Sequence, residues 1–137
     1  AQLDSLEFFI AKRRQNFEYF SNRLASLSDF IKTAQATPGS NPSWFGFPIT
    51  IKDSAGVSRV DLTKYLDQFK IGSRLLFAGN LTHQPYFKDI QYRISGELTN
   101  TDKTMNQTFW LGVQPTLGKE HYDFVAEKLE EFFGLSF

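Results

Sequence analysis

The first third of the chain carries apolar residues at helical spacing. They recur at intervals of three, four or seven, and they are Leu6, Ile10, Phe17, Phe20, Leu24, Leu27 and Ile31. Such a stripe lines one face of an amphipathic helix, so the pattern predicts a long helix over about residues 4–33. Residues 35–42 follow with Pro, Gly, Ser and Asn, a composition typical of a turn that ends a helix.

The middle of the chain alternates between strand and helix patterns. Residues 47–51 alternate in polarity as a half-buried strand does, and residues 73–78 predict a second, buried strand. Between them, Ser58 followed three residues later by Asp61 resembles a capping box, which predicts a helix over residues 59–70 that Gly72 stops. Residues 92–94 are a candidate third strand, closely bounded by glycine and asparagine.

The last third returns to the same two patterns. Asn100 is a suitable N-cap for a short helix through Met105, and residues 108–113 favour a strand. A final amphipathic helix has Gly134 at its left-handed cap position. Its apolar stripe is Tyr122, Val125, Leu129, Phe132 and Phe133. The order of elements predicts an α+β fold, with helices packed on one side of a small antiparallel sheet.

Length and composition indicate a single domain that is part of a larger protein. The 137 residues are 41% apolar and 16% aromatic, which is enough for one core. Fifteen phenylalanines exceed what a small core needs, so some of them are expected to cover a surface that a partner buries. The chain begins without methionine and its only methionine is Met105, so we interpret residues 1–137 as a piece of a longer protein.

Charge and cysteine content narrow the classes of function. Fifteen basic and fifteen acidic residues give zero net charge, which disfavours nucleic-acid binding. The absence of cysteine excludes disulfides, thiolate metal sites and iron–sulfur ligation within these residues. No apolar run approaches the roughly 20 residues of a membrane span and no secretory leader is present, so a cytoplasmic setting is the simplest interpretation.

A polar loop directly after the second strand is the first candidate binding region. The strand that begins at Arg74 leads into Asn80, Thr82, His83 and Gln84, and loops positioned by a rigid element often carry function. His83 suits a ligand contact and a loop-stabilising hydrogen bonder equally well. A lone histidine without partner spacing is not a metal site, and the chain has no close carboxylate pair for acid–base catalysis.

Aromatic and basic side chains are the second group of candidates. Trp44 and Phe45 stand beside Gly46 and could stack on a base or a sugar, or pack against the core or a neighbouring domain. No phosphate-cradling glycine loop is present, so any phosphate would be met by basic side chains. The candidates are Arg74, Lys88, Arg93 and Lys103. For Lys88 and Arg93 we prefer a surface charge.

Three segments together carry a resemblance to one enzyme family. They are Asn41–Pro48, Ile71–Pro85 and Asn100–Asp102, followed by Asn106, Thr108, Phe109, Trp110 and Gly112. In this combination the chain closely resembles the C-terminal part of the CDP-4-keto-6-deoxy-glucose 3-dehydrases of lipopolysaccharide sugar synthesis, within the sugar-nucleotide aminotransferase superfamily. The resemblance covers essentially the whole chain.

The resemblance implies the small domain of a fold type I enzyme that depends on pyridoxamine or pyridoxal phosphate. Such an enzyme expels the 3-hydroxyl of a CDP-sugar, carries a [2Fe–2S] cluster, receives electrons from a flavin- and iron–sulfur-containing reductase and is typically a homodimer. The cofactors and the catalytic base would belong to an N-terminal domain that this chain lacks, linked through helix 1–33. The chain alone would be inactive. It would line the CDP-sugar site, with Phe45 and Lys103 facing the substrate.

Two departures from the family and two alternative functions stay open at this stage. The family usually has arginine where this chain has His83 and Lys103, and a lysine loses the bidentate fork of arginine. One alternative is the small domain of a sugar-nucleotide aminotransferase. The other is a free-standing carbohydrate-binding module that uses Trp44, Phe45 and the loop 80–84.

Overall fold

The computed structural model describes residues 2–135 and contains four helices and four strands. The helices are α1 (Leu6–Arg23), α2 (Arg59–Gln68), α3 (Thr99–Gln107) and α4 (Lys119–Phe132). The strands are β1 (Ile31–Thr33), β2 (Gly46–Ile51), β3 (Arg74–Leu75) and β4 (Thr108–Gly112). Short 3-10 turns span Leu3–Ser5, Ala25–Leu27, Asp53–Ala55, Leu81–His83 and Pro85–Asp89.

The four strands form one antiparallel sheet in the order β1-β2-β4-β3. Along β2, Phe47, Ile49 and Ile51 are buried, whereas the residues between them are only half-buried. Successive strand residues point to opposite faces, so one face of the sheet is apolar and the other carries Pro48 and Thr50. The predicted α+β class with an antiparallel sheet is confirmed.

The core lies between the apolar sheet face and α1, α2 and α4. The ring of Phe20 on α1 lies 4.6 Å from that of Phe47 on the sheet and 5.1 Å from that of Tyr122 on α4. Leu62 and Leu66 of α2 complete the core and are fully buried. The remaining helix, α3, contacts β2 and β4. No helix within residues 2–135 has both the length and the apolar character that crossing a bilayer requires.

The prediction of one helix over residues 4–33 is wrong beyond its first two thirds. α1 ends at Arg23, a 3-10 turn follows, and Ile31–Thr33 pair with β2 as strand β1. Leu24, Leu27 and Ile31 are nevertheless all buried. The helical spacing of these residues gave the wrong prediction because a turn followed by a strand can bury the same side chains in the same core.

The prediction of a buried strand over residues 73–78 is also wrong. Only Arg74 and Leu75 pair with β4, and both are exposed because β3 lies at the edge of the sheet. The chain then turns: the N–H of Phe77 donates to the Leu75 carbonyl at 2.8 Å, and Phe77 adopts a φ of 49°. Its side chain is 87% exposed. In this part of the chain, a run of apolar residues therefore did not predict that their side chains are buried.

Two of the four predicted helix caps are confirmed and two are wrong. The Ser58 hydroxyl accepts the Asp61 N–H at 3.1 Å, and Gly134 has a φ of 75° after α4, both as expected. α2 is instead followed by Lys70 at a φ of 62°, so Gly72 is not its left-handed residue. Asn100 lies within α3 rather than at its N-cap, and residues 92–94 form no strand.

Candidate functional site

Asn80 holds the candidate loop together from inside. It is 2% exposed, and its side-chain oxygen accepts hydrogen bonds from the Thr82 N–H at 3.0 Å and the Thr82 hydroxyl at 2.8 Å. Its amide nitrogen donates to Asp102 of α3 at 2.6 Å, and its backbone N–H contacts the Met105 sulfur at 3.3 Å. These bonds fasten the loop to α3, so the polar atoms of Asn80 are engaged within the protein.

The neighbouring loop residues differ: Gln84 forms a hydrogen bond within the loop, whereas His83 is partly exposed. Gln84 donates its side-chain amide to the Ala78 carbonyl at 2.7 Å, which closes the loop on itself. His83 Nε2 lies 3.6 Å from Asp102 Oδ1, and about half of the His83 side chain is exposed. Thr82 and Gln84 therefore form hydrogen bonds within the loop, whereas His83 remains half exposed. Asp102 had no predicted role, although it ends the Asn100–Asp102 segment that carried the resemblance.

The two adjacent aromatic candidates have different surroundings. The Trp44 ring stacks on Phe17 with a centroid distance of 4.1 Å and an interplanar angle of 9°. Trp44 is thus packed against α1, as the alternative interpretation held. Phe45 is 69% exposed, and its ring lies 5.2 Å from the Trp110 ring at 51°.

Phe45, Arg74 and Trp110 line one open cleft of about 580 Å³. The sheet register places Arg74 directly opposite Trp110, and the Arg74 Cζ atom lies 5.8 Å from the centre of the indole. A cleft of this size suits a small ligand. Trp110 was not a predicted site residue, because nothing in its local sequence shows that β4 brings it beside Phe45.

A second residue that sequence reasoning missed supports the wall of this cleft. Arg13 of α1 donates through Nη1 to the carbonyls of Trp44 at 3.1 Å and Val113 at 3.0 Å. These two bonds tie α1 to the segment before β2 and to the end of β4. Arg13 thus positions the wall of the cleft that carries Phe45.

Lys103 lies apart from this cleft. Its ammonium group forms an ion pair with Asp53 at 2.7 Å, and Gln107 donates to the same carboxylate. The hydrogen bond from Lys103, followed by that from Gln107, holds the pKa of the Asp53 carboxyl below its ordinary value. Lys103 lines a separate depression of about 490 Å³ with Lys32 and Thr50. The two depressions share one face of the sheet, because Trp110 in the first is paired directly with Pro48 in the second.

The sequence-predicted residues therefore lie in four separate places rather than one. Phe45 and Arg74 share a cleft, whereas Lys103 lines its own depression. Asn80, Thr82, His83 and Gln84 form the loop on α3, and Trp44 is packed on α1.

Comparison with known proteins identifies the family. The model of the DegT/DnrJ/EryC1/StrS aminotransferase family matches residues 1–130. The chain belongs to this family. It is 57% identical over 137 residues to "Lipopolysaccharide biosynthesis protein RfbH" of Salmonella typhimurium, covering 100% of this chain and 31% of that protein. It is 41% identical over 136 residues to "dTDP-4-dehydro-2,6-dideoxy-D-glucose 3-dehydratase" of Saccharopolyspora spinosa, covering 99% of this chain and 29% of that protein.

A solved structure supports the same fold. The crystal structure of GDP-4-keto-6-deoxymannose-3-dehydratase with a trapped PLP-glutamate geminal diamine superposes with a TM-score of 0.83 at 29% identity. The match covers 93% of this chain and 33% of that one, and the small-domain fold of a fold type I enzyme is thereby confirmed. The chain spans about a third of the length of the relatives that it matches.

The described residues do not fit the cofactors that the resemblance implies. An iron–sulfur cluster requires thiolate ligands, and the chain has no cysteine. Pyridoxal phosphate requires a phosphate cradle and a charged partner for its pyridinium nitrogen. Within residues 2–135, no carboxylate lines the cleft, so the cleft offers no charged partner for the pyridinium nitrogen.

Proposed function

We propose that this chain is the C-terminal small domain of a sugar-nucleotide 3-dehydratase that acts on CDP-4-keto-6-deoxy-glucose. The observation that carries the proposal is the 57% identity, along all 137 residues, to a lipopolysaccharide biosynthesis protein. Relatives named as 3-dehydratases of dTDP- and GDP-linked keto sugars support the reaction type. The CDP-linked substrate follows from the resemblance of the segments around Trp44, Arg74 and Trp110.

The role of this domain is to bind and orient the substrate. Holding a substrate in reactive geometry lowers a barrier without any contact to the bonds that change. Phe45 and Arg74 are the residues best placed to do so, because they face one cleft and are not engaged in the core. Lys103 supplies a further cation and His83 an imidazole, at separate positions, and Asn80 with its partners fixes the loop that carries His83.

The cofactors and the electron-transfer partner belong to the rest of the proposed enzyme. There, pyridoxamine phosphate would supply amine chemistry toward the keto sugar, and a [2Fe–2S] cluster would supply electron transfer with a flavin-containing reductase as the partner. The ligands for both groups are proposed to lie in an N-terminal domain joined to α1. The relatives have room for such a domain, because this chain matches about a third of their length.

An exposed apolar segment supports the proposal that further polypeptide packs on this domain, either that N-terminal domain or a second subunit of a homodimer. Between β3 and α3, several large apolar side chains are about half exposed or more. They are Leu75, Phe77, Leu81, Tyr86, Ile90, Tyr92 and Ile94. Large apolar side chains exposed in such number commonly mark an interface. These residues account for part of the aromatic surplus seen in the composition.

Turnover by the full-length protein tests the proposal. With pyridoxamine phosphate, an iron–sulfur reductase and CDP-4-keto-6-deoxy-glucose, we expect loss of the 3-hydroxyl, measured by mass spectrometry of the product. The 137-residue chain alone, assayed in parallel, is expected to give no product. Product formation by the chain alone, or a full-length protein without dehydratase activity, contradicts the proposal.

A second candidate function is transamination of the same class of sugar, because the matched family is named for aminotransferases. The two reactions differ in their products: transamination places an amine at C4 and keeps the 3-hydroxyl. Adding an amino-acid donor in place of the reductase separates them. An aminosugar product would favour this candidate over the dehydratase.

A further inference from the structure

The indole of Trp110 is held rigidly on the open face of the sheet. Its Nε1–H donates to the Leu75 carbonyl at 3.1 Å. The ring lies against the backbone of Gly46, where an added Cβ would stand 2.4 Å from the Trp110 Cε3 atom. Only glycine permits this close approach. The two contacts fix the plane of the indole before any ligand arrives.

Two further side chains surround this indole without partners of their own. The Phe45 ring leans against it while remaining mostly exposed. The Arg74 guanidinium lies near the ring, and among residues 2–135 it has no hydrogen-bond or ion-pair partner. Arg13 in the same cleft, by contrast, is fully engaged by carbonyls. Arg74 is therefore the cation of the cleft that is available to an anion.

We propose that Phe45, Trp110 and Arg74 form the subsite for the nucleoside diphosphate part of the substrate. This inference rests on the proposed function, which makes the ligand a sugar nucleotide. The base packs on the mostly exposed Phe45 ring and the half-buried Trp110 indole, and a phosphate oxygen accepts hydrogen bonds from the planar donor fork of Arg74. The polar side chains of Ser73, Gln114 and Thr116 line the rest of the cleft, whose volume of about 580 Å³ accommodates such a ligand.

The chemistry of stacking agrees with the variety of the relatives. Their names include dTDP- and GDP-linked sugars, which differ in the base. An aromatic surface accepts every base, because each has a π-face, whereas recognition of base edges would select one. A subsite of two rings and one arginine thus predicts weak discrimination among nucleotides. CDP, dTDP and GDP are expected to bind this cleft with similar affinity.

Nitrogen-15 NMR of the 137-residue chain tests the subsite through its two indole N–H signals. Titration with CDP is expected to shift the Trp110 signal saturably, while the Trp44 signal, from a ring packed on Phe17, serves as the internal control. Arg74→Gln is expected to weaken CDP binding about tenfold, since it removes a charge-assisted contact. Binding of cytidine, which lacks phosphate, should change little. Arg93→Gln, on the exposed loop, is the matched control and should bind CDP normally.

Phe45→Leu keeps an apolar side chain but removes the ring, and it should weaken CDP and cytidine alike. The inference is overturned if CDP produces no saturable Trp110 shift, if both indoles shift equally, or if Arg74→Gln binds CDP as tightly as the unaltered chain. These outcomes differ from failure of the proposed function. Dehydratase turnover without a Trp110 shift removes only the subsite, and CDP binding in a protein that does not dehydrate removes only the reaction.

Discussion

Replacing Arg23 with alanine tests the energetics of the contact between α1 and α4. Arg23 donates Nη1 to Glu130 Oε1 at 2.7 Å and Nη2 to Glu130 Oε2 at 2.9 Å, a bidentate pair. The Ser26 hydroxyl donates to the same carboxylate at 2.9 Å. Glu130 is only 6% exposed, so it depends on these donors in place of water. Arg23→Ala therefore leaves a buried carboxylate with one hydroxyl donor.

We expect Arg23→Ala to lower the free energy of unfolding by about 2–3 kcal/mol at neutral pH. Breaking a buried pair by removing one partner costs about 3–5 kcal/mol. We expect a smaller loss here because about a third of the Arg23 side chain is exposed and Ser26 keeps its hydrogen bond to Glu130. With a urea slope of about 1.5 kcal/mol/M, the unfolding midpoint should fall by about 1.5 M. Circular dichroism in urea measures it.

The effect should depend on pH in a defined direction. The hydrogen bonds from Arg23 lower the pKa of Glu130 in the folded protein. A lowered carboxyl pKa contributes stability above the ordinary value of about 4.3 and loses it as the pH falls through the folded value. The difference in the free energy of unfolding between the original protein and Arg23→Ala should thus be largest at neutral pH and should disappear under acid conditions.

Lys103→Ala is the control, because it breaks an ion pair whose two side chains are more than half exposed. Exposed pairs contribute little to stability, so its urea midpoint should hardly move. The reasoning is refuted if Arg23→Ala lowers the midpoint no more than this control. It is refuted equally if the effect of Arg23→Ala is the same at acid and neutral pH.

Three further changes test the loop, the sheet face and the substrate site. Asn80→Ala should cost about 1–3 kcal/mol in urea unfolding, since it leaves Asp102 without its amide donor and removes the acceptor of the loop; an unchanged midpoint would contradict this. Gly46→Ala should displace the Trp110 indole and change its fluorescence, because the added Cβ falls 2.4 Å from the ring. An identical spectrum would count against the packing described. In full-length enzyme, Lys103→Ala should raise KM more than it lowers kcat if Lys103 provides uniform substrate binding, and an unchanged KM removes Lys103 from the site.

The candidate site shows how far sequence reasoning reaches. Phe45, Arg74 and the loop 80–84 stood out from local composition alone, and the structure places Phe45 and Arg74 in one cleft. The partners that define each group were not recognisable in advance. Trp110 and Asp102 are far along the chain from Phe45 and Asn80, and only the strand register and the position of α3 bring them into contact.

Short-range chemistry determined the parts of the fold that were predicted correctly. The serine cap of α2, the glycine after α4 and the alternation along β2 each depend on residues a few positions apart, so their meaning does not change with the rest of the molecule. Contacts between residues far apart in the sequence determined the other features. These are strand β1, the exposure of Phe77 at the sheet edge, and the meeting of Phe45, Arg74 and Trp110 in one cleft. Burial of an apolar side chain in the core is equally favourable whether its backbone is in a helix, a turn or a strand. Only the pairing of strands and the packing of helices selects among these conformations.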